Sequence, residues 1–127
     1  MPAHKPEELD ELFVQALHSG DLDALVALYE PHACMSPEPG QVVTGTQSIR
    51  EALSNFLAAK PQLTVETKTV NQSSDIALVI SNWHLTATGR DGNSMDISGQ
   101  AVVVSRRQPD GHWLMVIDNP FSLGEDR

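Results

Sequence analysis

The second half of the chain contains four strand-forming segments separated by turn signals, and this order constrains the fold more than any other feature. The segments are rich in β-branched and apolar residues and cover residues 63–71, 76–88, 94–107 and 112–119. Two of the turns contain Asp-Gly, a dipeptide that favours tight hairpins between apolar runs. Because strands joined by short turns pair with their neighbours, the sequence predicts an antiparallel meander.

Helical spacing dominates the first half of the chain. Residues 6–19 and 46–59 each place apolar side chains three or four positions apart, which is typical of a helix with one buried face. A shorter helix is expected over 22–29, with Asp21 as its cap and Tyr29 facing inward.

Segregation of helices from strands indicates the α+β class. We therefore predict a single domain over 1–127, with its core at about 7–122, in which three helices pack on one face of a curved antiparallel sheet.

Charge and composition exclude several classes of partner. The formal net charge is −9 and the sequence pI is about 4.7, so the chain lacks the basic face that nucleic-acid binding needs. No apolar run approaches the roughly 20 residues of a membrane span, and the N-terminus has no signal-peptide pattern. The single cysteine, Cys34, cannot form an internal disulfide. We expect a cytoplasmic protein with neither a nucleic-acid nor a membrane partner.

A hypothetical hairpin register places polar side chains in one row. If Asn82 opposes Gln100, and Gln100 opposes Asp118, these three share a face with His84 and Ser98. The rest of that face is apolar and includes Val116. Polar groups at one end of an apolar surface are typical of a ligand pocket, so we expect the helices to cover this face.

The opposite face of the predicted sheet is also apolar and contains Trp83 and Trp113. A sheet with two apolar faces needs two partners, and the helices cover only one. We therefore predict a homodimer through the outer sheet face, with both tryptophans at the interface.

Three stretches carry a family resemblance: "HSGDLDALVALYEPHACMS", "PGQVVTGTQSIREAL" and "RRQPDGHWLMVIDNPFS". They resemble the SnoaL-like and ketosteroid isomerase-like group of the nuclear transport factor 2-like superfamily, over about residues 7–122. The resemblance implies a cone-shaped pocket between the helices and the concave sheet face, and dimerisation through the outer face. The fold hosts isomerases, cyclases, dehydratases, hydrolases and non-catalytic binders, so it does not define an activity.

The residues that steroid isomerases of this group use are not matched here. Aligned on the quoted stretches, their tyrosine falls at Phe13, their base near Pro37, and their acid near Val103 or Val102. Without these donors the steroid isomerase mechanism is not expected.

Asp118 is the first candidate catalytic residue. It acts either as a general acid or base in an apolar cleft, or only as a strand-end residue that holds the Asn119-Pro120 turn. His84 is the second candidate, with a hydrogen-bonded strand histidine as its alternative. We expect Asn82, Gln100, Ser98, Met35, Phe13 and Val116 to contact the ligand.

The predicted function follows from these candidates. We expect a small, mostly apolar organic ligand, and no cofactor or metal, because the histidines lack ligand spacing and no phosphate or dinucleotide motif occurs. Two alternatives remain open. The first is proton transfer in an isomerisation, cyclisation or dehydration with Asp118 as base. The second is a non-catalytic binding or assembly module.

Overall fold

The computed structural model describes residues 3–88 and 92–122. This part of the chain contains three helices and six strands. In chain order they are α1 Glu8–His18, α2 Leu22–Val26, β1 Tyr29–Met35, β2 Val43–Thr44, α3 Thr46–Ala58, β3 Gln62–Ser73, β4 Ile76–Thr88, β5 Ser94–Arg107 and β6 Trp113–Asn119. No helix among them has the length and apolar character that crossing a bilayer requires.

The six strands form one curved, open sheet in the order β2-β1-β6-β5-β4-β3. Strands β3 to β6 are the antiparallel meander that the turn signals predict, and the helices pack against one face. The predicted α+β class is therefore confirmed. One pairing differs from the antiparallel prediction, because β1 runs parallel to β6.

The second helix is shorter than predicted. It ends at Val26, and Tyr29 is the first residue of β1 instead of the last residue of a helix. The tertiary pairing with β6 explains the difference, since Tyr29 lies beside Met115, whose N–H donates to the Leu28 carbonyl at 2.8 Å. The proline at position 31 also favours an extended backbone before it.

One of the two predicted hairpin registers is correct. Between β4 and β5, Asn82 opposes Gln100 and His84 opposes Ser98, as predicted. Between β5 and β6, however, the partner of Asp118 is Val103 and not Gln100.

Two shifts together cause the error in the β5–β6 register. The predicted pairing of Gln100 with Asp118 would place Val104 opposite Leu114. The turn between β5 and β6 is longer than this pairing requires, so Leu114 opposes Arg106 and the register moves by two residues. A β-bulge then inserts Val116, because Met115 opposes Ser105 while Ile117 opposes Val104. A two-residue shift preserves the face of each side chain, but the single inserted residue reverses it. Asp118 therefore lies on the same face as Val103.

The helices cover the face that we assigned to the dimer, so that assignment is wrong. Trp83 and Trp113 are 9% and 2% exposed within one chain and belong to the core. Their large apolar area is buried by the helices of the same chain, which leaves them unavailable to a second copy. Asn82 and His84 lie exposed on the outer face beside the half-buried Gln100, whose amide donates to Asn82 Oδ1 at 3.3 Å.

Trp83 connects the sheet to the segment that follows β6. Its indole Nε1–H donates to the Pro120 carbonyl at 2.7 Å, and its ring meets Phe121 edge to face with centroids 5.9 Å apart. The indole lies over Gly99, its partner on β5. A Cβ atom at Gly99 would come within 2.7 Å of Trp83 Cζ2, so this position has no room for a side chain.

Replacing Gly99 with alanine is expected to destabilise the fold. Because Trp83 is held by Pro120 and Phe121, the added methyl group displaces a packed ring, at about 1–3 kcal/mol of unfolding free energy. Urea unfolding measures the change, and Ser98→Ala, on the outer face, is the control. Equal midpoints for Gly99→Ala and the parent would contradict this packing.

Candidate functional site

A half-buried hydrogen bond joins Tyr29 to Asp118. The Tyr29 hydroxyl donates to Asp118 Oδ2 at 2.5 Å, although the two residues are 89 positions apart in sequence. The parallel pairing of β1 with β6 explains the contact, because Tyr29 lies beside Met115 and Met35 lies beside Asp118. Tyr29 is 6% exposed and Asp118 is half-buried on the helix-covered face.

The surroundings of Asp118 make its carboxyl a weaker acid than that of an ordinary aspartate. The pKa of its carboxyl is raised from 3.8 to about 6, mainly by burial and further by the negative charge of Asp10, while the hydrogen bond from Tyr29 partly opposes the rise. Burial also raises the pKa of Tyr29 well above 10, with further contributions from the Asp118 charge and the hydrogen bond between them. Near neutral pH, Tyr29 therefore remains a proton donor in the hydrogen bond while Asp118 exchanges its proton.

Asp10 places a second carboxylate on the same side of the sheet. Its Oδ2 accepts hydrogen bonds from Ser81 Oγ at 2.6 Å and Thr67 Oγ1 at 2.8 Å. Thr67 and Ser81 are direct partners on β3 and β4. The bonds fix the N-terminal half of α1 to the sheet. We call Tyr29, Asp118, Asp10, Ser81 and Thr67 together the carboxylate site.

Two cavities lie near the first helix. A groove of about 760 Å³ between α1 and β3 is lined by Asp10, Thr67 and apolar side chains such as Val14 and Val65. A cavity of about 400 Å³ lies between α1, α2 and the start of β6. Neither is lined by Asp118. Asp10 lines the groove, and its charge also raises the pKa of Asp118.

The structure separates the predicted site residues into two groups. Asp118 and Met35 are neighbours on the helix-covered face, and Phe13 packs against the core from α1. Val116 is the bulge residue. The other four lie on the outer face: Asn82, His84, Ser98 and Gln100.

His84 has its own partner on the outer face. Its Nε2 lies 2.6 Å from Asp96 Oδ1, and both side chains are largely exposed. The predicted row that joined His84, Gln100 and Asp118 therefore does not form, because the bulge at Val116 places Asp118 on the opposite face.

Tyr29 and Asp10 were missed as site residues. Tyr29 was assigned to a helix, although Pro31, two positions later, indicates extended chain. From the sequence, Asp10 is only one of several acidic residues in the first turn of α1, where negative charge favours the helix N-terminus. Its spacing to Phe13 and Leu17 could have indicated an inward carboxylate, since these positions are three and seven residues away. The hydroxyl partners, Ser81 and Thr67, carry no comparable sequence signal.

The carboxylate site offers acid–base chemistry rather than metal ligation. Among residues 3–88 and 92–122, no three His, Cys, Asp or Glu side chains are grouped so that they could hold a metal ion. The available groups are two carboxylates, one phenol and two hydroxyls. Such groups accept and donate protons and hydrogen bonds to a small organic molecule.

The sequence belongs to the SnoaL-like domain family, whose pattern matches residues 11–114. No match was found among curated protein sequences.

Solved structures with the same fold include three of bacterial origin. A ketosteroid isomerase-like protein from Erwinia carotovora atroseptica is 22% identical, with a TM-score of 0.78 and 89% of each chain covered. A candidate dehydratase of the nuclear transport factor 2-like family from Streptomyces avermitilis is 19% identical, with a TM-score of 0.74, 89% of this chain and 90% of that chain covered. A candidate calcium/calmodulin-dependent protein kinase II association domain from Xanthomonas campestris is 22% identical, with a TM-score of 0.78, 91% of this chain and 85% of that chain covered. At these identities the likeness establishes the fold.

Replacing Asp118 with asparagine is expected to stabilise the protein at neutral pH. The pKa of Asp118 is higher in the folded chain than in the unfolded chain, so its stabilising contribution is complete below about pH 4 and is lost as the pH rises through about 6. Asparagine keeps an acceptor for Tyr29 and carries no charge. The free energy of unfolding of Asp118→Asn should equal that of the parent at pH 4 and exceed it by about 1–3 kcal/mol at pH 7.5.

Chemical unfolding across this pH range measures the gain. Glu51→Gln, which removes an exposed carboxylate bonded to the uncharged Gln47, is the control and should show no such rise. A difference between Asp118→Asn and the parent that stays constant with pH would contradict the raised pKa.

Proposed function

We propose that the protein binds a small, mostly apolar organic molecule and catalyses a cofactor-free proton transfer with Asp118 as general base. The observation that carries this proposal is a carboxylate with a pKa of about 6, hydrogen-bonded to a buried tyrosine on the helix-covered face. A base with a pKa near the working pH transfers protons efficiently in both directions. Isomerisation, cyclisation and dehydration are the reaction classes that such a group serves.

The hydrogen bond assigns separate roles to the two oxygens of Asp118. Tyr29 occupies Oδ2, so Oδ1 is the oxygen that we assign to the substrate. Ionised Asp118 removes a proton from carbon and becomes a neutral acid. It then returns the proton to another carbon in an isomerisation, or to the departing oxygen in a dehydration. Tyr29 keeps the carboxylate oriented and does not lose its own proton.

The alternative role of Asp118, as the residue that holds the strand-end turn, has little support. The turn is held by Asn119, whose Oδ1 accepts from the Phe121 N–H at 3.1 Å. The Asp118 side chain instead contacts Tyr29, and its charge is unfavourable for folding above about pH 6. Asparagine would fill a purely structural role equally well, so the presence of an ionisable carboxyl at this position supports a functional role.

The names of two structural neighbours are compatible with this reaction class. One is described as ketosteroid isomerase-like and another as a candidate dehydratase. Since both share only the fold at this level of identity, the proposal depends on Asp118 and Tyr29 of this chain.

Deprotonation of 5-nitrobenzisoxazole tests for a general base without knowledge of the natural substrate. Removal of its ring proton breaks the N–O bond and releases a coloured cyanophenolate. We expect the rate to rise with pH around a midpoint near 6, and Asp118→Asn to lower it by about 100-fold. Asp96→Asn should keep the parent rate and pH profile.

Equal rates for Asp118→Asn and the parent would overturn the catalytic proposal. If the probe binds with no conversion above the buffer rate, the result favours the second candidate function, a non-catalytic binding module. The observation that favours this second candidate is the groove of about 760 Å³, which provides a binding volume but is not lined by Asp118.

We also propose that the outer sheet face forms a homodimer. The apolar side chains on this face include Leu78, Ile80, Val102, Val104 and Ile117, and none of them belongs to the described core that packs against the helices. Ile117 is 44% exposed. A contiguous apolar surface of this kind favours association with a second copy.

A pair of isoleucines with equal exposure tests the dimer. Ile117 and Ile97 are each 44% exposed, but Ile117 lies on the outer face while Ile97 opposes Leu85 on the helix-covered side. Ile117→Glu should convert the dimer to a monomer, because it buries a charge at the interface, whereas Ile97→Glu should not. Light scattering measures the mass. A parent that is monomeric at micromolar concentration would contradict the dimer.

A further inference from the structure

We propose that Asp10 is a second functional group of the carboxylate site, a specificity-determining residue that makes the site select neutral or cationic ligands over anionic ones. This inference deepens the proposed function and rests on it, since it assumes that a small ligand binds at the helix-covered face. It concerns the chemical class of that ligand, which Asp118 alone does not define.

Asp10 is held in place by the sheet rather than extended into solvent. Both hydroxyl donors, Ser81 and Thr67, bond the same oxygen, Oδ2. Ser81 is 2% exposed, so the carboxylate is anchored at a buried point of β4. Hydroxyl donors satisfy a carboxylate without cancelling its charge. The negative charge of Asp10 is therefore fixed on this side of the sheet, and Oδ1 remains for a ligand.

The strand register brings Asp10 and Asp118 onto one surface. Ser81, which holds Asp10, opposes Ala101, and Asp118 opposes Val103 on the same strand. Because Ala101 and Val103 are two positions apart on β5, the anchor of Asp10 and the side chain of Asp118 lie on the same face of the sheet. Their proximity is also reflected in the pKa of Asp118, which the charge of Asp10 raises.

Few positive charges oppose these carboxylates in the described part of the chain. The groove that contains Asp10 is also lined by Glu7 and Glu11, and its lysine, Lys68, lies 3.5 Å from Glu66. His18, at the other end of the groove, uses Nε2 to accept from the Leu63 N–H at 3.1 Å.

The arginines that form described ion pairs pair elsewhere: Arg50 with Asp23, Arg106 with Glu30, and Arg107 with Asp75. An anion that approaches the site consequently meets two like charges, and a cation meets two opposite ones.

Three naphthalene probes of similar shape separate the effect of charge from that of apolar contact. They are 2-naphthylmethylamine, which is a cation at pH 8, 2-naphthylmethanol, which is neutral, and 2-naphthoate, which is an anion. Calorimetric titration gives the dissociation constant of each. We expect the cation to bind about tenfold more tightly than the anion, with the alcohol between them, because unit charges at this range interact measurably even in a polar environment.

Asp10→Asn is the variant that tests the residue. Asparagine keeps an oxygen for Ser81 and Thr67 but loses the charge, so the ratio between cation and anion should fall by about threefold or more. Asp10→Glu retains the charge and should restore the preference. Asp96→Asn removes one charge from the outer face and should leave the ratio unchanged, which controls for net charge. Circular dichroism establishes that each variant is folded.

The outcomes distinguish this inference from the proposed function. If Asp118→Asn abolishes turnover of 5-nitrobenzisoxazole but Asp10→Asn leaves the charge preference intact, the inference fails and the catalytic proposal stands. If Asp10→Asn removes the preference while no turnover is seen, the inference stands for a non-catalytic binder. A parent that binds naphthoate as tightly as the amine overturns the inference without any variant, and so does failure of all three probes to bind.

Discussion

The bulge at Val116 is the constraint on which the site depends. One inserted residue on β6 reverses the faces of the residues that follow, so Asp118 lies on the helix-covered face beside Val103 and Met35. Without it, Asp118 would project to the outer face with Gln100 and His84 and would be an ordinary exposed carboxylate. Burial, the Tyr29 hydrogen bond and the interaction with Asp10 all follow from this one change of register.

The remainder of the structure holds this arrangement in place from two sides. On one side, β1 runs parallel to β6 and carries the Tyr29 hydroxyl to Asp118. On the other, Trp83 lies over Gly99 and fixes the segment after β6 through Pro120 and Phe121. The strand end that bears Asp118 is therefore tied to both its neighbouring strands and the core. Such anchoring is compatible with the proton transfer that we propose for Asp118, since the geometry of a catalytic group must be held while its charge changes.

The SnoaL-like family provides the scaffold, but this chain places its polar groups differently from the steroid isomerases that it resembles. The tyrosine of those enzymes aligns with Phe13 of this chain, their base aligns near Pro37, and their acid aligns near Val103 or Val102. The phenol and the carboxylates come instead from β1, β6 and α1. The same curved sheet can thus present acid–base groups from different strands, which explains why the fold and the chemistry must be argued separately.

The sequence by itself determined the class of fold, the two longer helices and the β4–β5 register, because helical spacing and Asp-Gly turns are local signals. It also identified Asp118, Met35 and Phe13 as residues of interest, although their roles remain predictions. The tertiary structure alone decided which face the helices cover, the position of the bulge, and the joining of Tyr29 and Asp10 to Asp118. These features depend on contacts between residues distant in sequence. A bulge leaves no local pattern, yet one inserted residue moves a side chain to the other face of the sheet.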